Sequence, residues 1–132
     1  MKRKLAAVIL APVLLVLTAC GGGSTAKVNN LNADGFASDI KNAGVVVVDV
    51  RTAGEFAAGH IENAINIDVE ASDFDSKIAK LDKNVEYAVY CHSGRRSGIA
   101  TDKMVKAGFT KVTNLEGGIQ SWQAAGYPLV AN

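Results

Sequence analysis

The chain has 132 residues, 48% of them hydrophobic and 20% charged, with 14 basic against 13 acidic side chains. That balance lacks the basic stripe that nucleic-acid binding needs, so nucleic acid is not an expected partner. The length suits one folded domain around one core.

In chain order, Lys2, Arg3 and Lys4 come first, followed by an apolar run over 5–17 broken only by Pro12. The run is shorter than the ~20 residues of a membrane-spanning helix and reads as an export signal. The next residues, Leu17-Thr18-Ala19-Cys20, resemble the lipobox of bacterial lipoproteins. That resemblance implies cleavage before Cys20 and lipid on its sulfur. Gly21-Gly22-Gly23-Ser24 is a flexible tether of the kind that holds a domain off a membrane. The expected organisation is a signal peptide over 1–19, a lipidated cysteine and tether over 20–27, and one domain over 28–132. Gly21 is not the aspartate that resembles an inner-membrane retention signal. An exported, lipid-anchored protein is therefore expected, on the periplasmic side of the outer or inner membrane, or on the outer face of the cell membrane if there is only one. Without its three leading basic residues the chain carries 11 basic against 13 acidic side chains, a net charge near −2. With Cys20 lipidated, Cys91 has no partner, and an unpaired thiol in an oxidising compartment is a liability unless buried or used.

Asn32 precedes a helical pattern in which Ala33, Phe36, Ala37 and Ile40 share a face, and Gly44 ends it. The run VVVVDV at 45–50 is β-branched without polar alternation, as in a strand buried on both faces. Thr52 and Glu55 have capping-box spacing and open a short helix that Gly59 can end. A short strand is expected over 64–67, then a helix capped by Ser72 with Phe74, Ile78 and Leu81 on one face. Further strands fall at 85–90 and 111–115, and helices at 97–107 and 119–125. Strands alternating with helices predict a three-layer α/β fold, with a mostly parallel sheet of about five strands and helices on both faces. Ligands of such sheets bind beyond the carboxyl ends of the strands, where Cys91 stands.

The segment CHSGRRSG at 91–98 surrounds that thiol with small residues and two arginines. Ser93, Gly94 and Ser97 let the chain curl so that backbone N–H groups face an anion, and the helix that follows adds its positive end. A free thiol of pKa ~8.5 is only ~3% thiolate at pH 7; lowering it to ~6.5 takes about 2.7 kcal/mol and makes it about three-quarters thiolate. One helix terminus supplies ~0.3–1 kcal/mol, so direct N–H donors and the charges of Arg95 and Arg96 must provide the rest.

These residues and their flanks resemble a single-domain rhodanese. VVVVDVRTAGEFAAGHIENAINID is similar to that family's upstream signature of D-V-R, E-F, G-H-I and A-I-N. NLEGGIQSWQAAGYPL is similar to its downstream signature. Asn63 departs from the glycine usual after G-H-I-x, and Asn tolerates the left-handed backbone such a turn needs. The resemblance implies sulfur transfer through a persulfide on Cys91. The donor would be a small anion such as thiosulfate, and the acceptor cyanide, a thiol or a small redox protein. His92, Ser93, Gly94 and Ser97 would supply loop donors, and Arg95 and Arg96 would bind the donor and the leaving sulfite. Which arginine faces the sulfur is open. Asp49 and Arg51 end the first clear strand at the same edge. Asp49 supports the site or caps the turn, and Arg51 either lines the substrate mouth or pairs with a carboxylate.

A tyrosine phosphatase or arsenate reductase would place an arginine six positions past the cysteine, where Ser97 stands; Arg96 arrives one residue early. A cysteine protease would need His60 as base, and His60 reads instead as fixing the G-H-I turn. Cys91 and two histidines make no metal-ligand spacing, so neither metal nor other cofactor is expected. Trp122 reads as core. A persulfide carrier or binding module without turnover stays open beside the enzyme, because both need an activated thiol. A monomer is expected.

Overall fold

The computed structural model describes residues 26–132; the expected signal peptide, Cys20 and most of the tether lie outside them. Strands and helices alternate through ten elements: β1 (Asn29–Leu31), α1 (Ala33–Asp39), β2 (Val46–Asp49), α2 (Ala53–Ala58), β3 (Ile65–Asn66), α3 (Phe74–Ile78), β4 (Tyr87–Tyr90), α4 (Arg95–Lys106), β5 (Val112–Leu115) and α5 (Gly118–Ala124). The strands form one sheet in the order β1-β5-β4-β2-β3, and every pairing is parallel, with Val48 opposite Val89 and Val89 opposite Asn114. The sheet is thus wholly rather than mostly parallel; the antiparallel contact among the described residues is an isolated bridge between His60 and Val130.

Strand alternation divides the core in two. Val48, Val50, Tyr87, Val89 and Cys91 pack with Phe74, Ile78, Ala100, Met104 and Phe109 on the α3/α4 face. Val47, Ala88, Tyr90 and Leu115 pack with Phe36, Ile119 and Trp122 on the α1/α5 face. Because both faces are covered, β4 is buried along its whole length, and it carries Cys91 at its carboxyl end. No helix among the described residues is long and apolar enough to cross a membrane.

The caps explain where elements start. Asn32 accepts the N–H of Gly35 at 2.8 Å, and Thr52 accepts that of Glu55 at 3.3 Å. Ser72 does not cap α3: a turn closed from the N–H of Phe74 to the carbonyl of Ala71 places Asp73 at the N-cap, without a side-chain bond. The helix expected from residue 97 begins at Arg95, because Gly94 reverses the chain at φ +101° and its carbonyl takes the first helical bond from Gly98. Among the described residues Asn63 is the non-glycine residue with positive φ, at 65°, so the turn expected there forms. β1 was not anticipated: Asn29, Asn30 and Leu31 lack strand-forming residue types, and pairing with β5 supplies what propensity does not.

Candidate active site

Cys91 leaves β4 on the α3/α4 face and is fully buried at the floor of the 91–97 loop. The loop is shaped from behind by α5. The N–H of Ile119 donates to the carbonyl of Cys91 at 2.9 Å, and the N–H of Gln120 to that of His92 at 3.2 Å. With those carbonyls held against α5, the following N–H groups are free to turn toward the sulfur. The Gly94 N–H lies 3.0 Å from Cys91 Sγ. Burial pushes the thiol up. The hydroxyl and N–H of Ser97 and the N–H groups of Gly94 and Ser93 more than offset that, so it titrates below its ordinary value. The Ser97 hydroxyl also lies 3.2 Å from the Gly94 carbonyl and has one proton to give.

The two arginines, placed in the first turn of α4, diverge. Arg95 is exposed and, among the described residues, makes no ion pair. Arg96 folds back to α2, where its Nη1 and Nη2 donate to Glu55 Oε1 and Oε2 at 2.8 and 2.9 Å. It also feels the charge of Cys91. The hydrogen bonds from Arg96 hold the Glu55 carboxyl down to about 2, against the opposing effect of burial. The sequence marks Glu55 as a capping residue and as part of the E-F signature; its spacing from Thr52 is a local signal, whereas a partner 41 residues away leaves none.

Arg51 is taken up by an ion pair. Its guanidinium is buried, donating from Nε to both oxygens of Asp49 at 3.1 Å, and from Nη2 to Asp49 Oδ2 at 2.7 Å and to the Gly59 carbonyl at 2.6 Å. The burial of Asp49 explains this: a buried carboxylate needs a cation and donors, and Arg51 is two residues away. The pair ties the end of β2 to the turn that follows α2. His60 fixes that turn, its Nδ1 2.8 Å from the Phe56 carbonyl and its ring stacked on Phe56. His92 and Ser93 have exposed side chains, and Trp122 is core, donating to the Pro128 carbonyl at 2.9 Å. Among the described residues no group of His, Cys, Asp and Glu could hold a metal ion.

Residues 32–125 match the Rhodanese-like domain family. The chain belongs to the rhodanese-like family. A sulfurtransferase of Allochromatium vinosum is 30% identical over 105 residues, covering 79% of this chain and 96% of the relative. The thiosulfate sulfurtransferase GlpE of Pseudomonas fluorescens is 37% identical over 93 residues, covering 70% and 82%. A rhodanese-related protein of Thermoplasma volcanium has a crystal structure that superposes with a TM-score of 0.70 at 38% identity, covering 79% of this chain and 99% of that one. This rhodanese-like domain therefore has sulfurtransferases among its relatives and shares the fold of rhodanese-like proteins of known structure.

Proposed function

We propose that this rhodanese-like domain is a thiosulfate sulfurtransferase working through a persulfide on Cys91. The Cys91 thiolate attacks the outer sulfur of thiosulfate, the S–S bond breaks, and its electron pair leaves with sulfite. The transferred sulfur remains on Cys91 as an anionic persulfide. Cyanide or a thiolate then attacks that outer sulfur, carrying it away and returning the Cys91 thiolate. Both steps conserve charge, and neither needs a general base when the thiol is already ionised. The observation that carries this reading is the donor set on Cys91 Sγ. The Gly94 N–H stands 3.0 Å from the buried sulfur, and together with hydrogen bonding from Ser97 and Ser93 it lowers the thiol's pKa against the opposing effect of burial. The same N–H groups suit the persulfide anion.

Lipid on Cys20 would hold the domain at a membrane surface, facing the periplasm from the outer or inner membrane, or the exterior where there is one membrane; the lipobox and the Gly/Ser tether support this part of the proposal. The activity is tested by following sulfite and thiocyanate from thiosulfate and cyanide, with Cys91→Ser as control. Turnover lost in Cys91→Ser, with one added sulfur on wild-type Cys91 by mass spectrometry, is the expected result. An added sulfur without turnover would make the protein a carrier, and neither signal would sink the sulfurtransferase reading altogether.

A further inference from the structure

The Glu55–Arg96 pair changes how the mouth sees charge. Two cations stand near the sulfur in sequence, but only one is uncompensated in the fold. Both terminal nitrogens of Arg96 are held by the Glu55 carboxylate at 2.8 and 2.9 Å, and the pair is partly shielded, with side-chain exposures of 17% and 35%. Glu55 is itself fixed on the first turn of α2: its N–H donates to Thr52 Oγ1 at 3.3 Å, and Thr52 Oγ1 donates to Oε1 at 3.2 Å. Its carboxyl, held down to about 2, stays charged through neutral and mildly acidic pH. Glu70 adds a further negative charge within reach of Arg96. Attraction that grows with donor charge is therefore left to Arg95, exposed to solvent and salt. The N–H donors around Cys91 reward an anionic sulfur whatever charge the rest of the donor carries.

We infer that Glu55 determines donor specificity: by cancelling the Arg96 charge beside Cys91, it shifts preference from dianionic thiosulfate toward sulfane-sulfur donors with a single negative charge, such as thiosulfonates. This rests on the sulfurtransferase reading. With a thiosulfonate the Cys91 thiolate takes the terminal sulfur, the S–S bond breaks, and its electron pair departs with the sulfinate. The persulfide formed is the one thiosulfate would give.

The test uses the full chain with cyanide as acceptor and compares kcat/KM for thiosulfate and for benzenethiosulfonate. Glu55→Gln, and Glu55→Ala as a second variant lacking the charge, are expected to raise the thiosulfate-to-benzenethiosulfonate ratio by about threefold or more, as expected for removing one nearby charge in a solvated mouth. The change should lie mainly in the thiosulfate KM and shrink as salt is raised. Glu55→Asp keeps the charge and should leave the ratio within about twofold of wild type. An unchanged ratio in both neutral variants, or an equal change in Glu55→Asp, overturns the inference while leaving the sulfurtransferase intact. Failure of the wild type to turn over either donor overturns the parent reading, and the inference with it.

Discussion

Ile119 donates its backbone N–H to the carbonyl of Cys91 at 2.9 Å, so the peptide of the buried thiol is oriented by the first turn of α5. Gly118 makes that approach possible. It sits at φ +62°, and a Cβ there would lie 2.5 Å from the carbonyl carbon and oxygen of His92 and 2.7 Å from the Cys91 oxygen. All three are backbone atoms, so a side chain can enter only by pushing the loop off α5. Gly118→Ala is expected to lower turnover at least tenfold and to destabilise the fold by more than ~1–2 kcal/mol, the cost of the left-handed backbone alone. Gly126→Ala is the control: φ is +86° but nothing lies within 4 Å of the added Cβ. It should cost the backbone strain and leave turnover near wild type.

Ser97 is fully buried, and its hydroxyl and N–H together are the strongest of the donors lowering the Cys91 pKa. Ser97→Ala keeps the N–H and removes the hydroxyl, so the thiol should titrate higher. Sulfur transfer requires thiolate, so the acid limb of kcat/KM against pH should move to higher pH. Lost activity at neutral pH should return as pH is raised. Reading the thiolate directly by ultraviolet absorbance separates this from a folding defect; an unmoved titration would show that the backbone donors suffice.

Much of this site is legible in sequence because it is local. Cys91 lies at a strand end, and small residues follow it within one loop; strand periodicity and residue type reach that far. The VVVVDV run exposed its doubly buried strand because both faces are covered. The long-range arrangements left no such trace. The Glu55–Arg96 pair joins residues 41 apart, and the Ile119 and Gln120 bonds to the loop use backbone groups that every residue carries. Arg51 was ambiguous because D-x-R fits equally an ion pair and a binding pair, and only the burial of Asp49 decides between them. Arg95 and Arg96 were indistinguishable until Gly94 fixed the helix start and sent them in different directions.

Arg95 provides a complementary test of charge at the mouth. It is exposed and, among the described residues, carries no ion pair. Arg95→Ala should raise the thiosulfate KM about two- to fivefold with kcat within twofold, and the difference should fade at high salt as screening removes it. A loss of kcat at saturating donor would mean instead that Arg95 contacts the leaving sulfite in the transition state.

Burial of Cys91 makes its reactivity depend on reagent size. The residue has no exposed surface, so even a small donor must displace rim groups to reach the sulfur. Small alkylating agents should therefore react at least tenfold faster than bulky aromatic disulfides, relative to their rates with a free thiol of the same pKa. Denaturation should abolish the discrimination. Equal relative rates in the native protein would show a mouth more open than the structure has.

Asp49 and Arg51 carry the last prediction, because their pair is buried on both sides, with side-chain exposures of 0% and 6%. The Asp49 carboxylate also accepts the Arg51 N–H at 2.9 Å, and the Arg51 guanidinium lies 5.8 Å from the centre of the Tyr90 ring. Burial raises the Tyr90 phenol and the Asp49 charge raises it further, so that hydroxyl stays protonated while its oxygen accepts the Ile61 N–H at 3.0 Å. Removing one ion leaves the other without compensation. Asp49→Asn should thus destabilise by ~3–5 kcal/mol in denaturant unfolding, and Arg51→Met by a comparable amount. The double substitution Asp49→Asn with Arg51→Met removes both charges and should cost less than the two single losses together. Strict additivity would mean that the pair is not coupled. Its connection to catalysis runs through β2 and the turn after α2, the element that carries Glu55. Single variants that still fold should raise the thiosulfate-to-benzenethiosulfonate ratio before they lose the Cys91 persulfide, because a shifted α2 would draw Glu55 away from Arg96 while the 91–97 loop keeps its own support from α5.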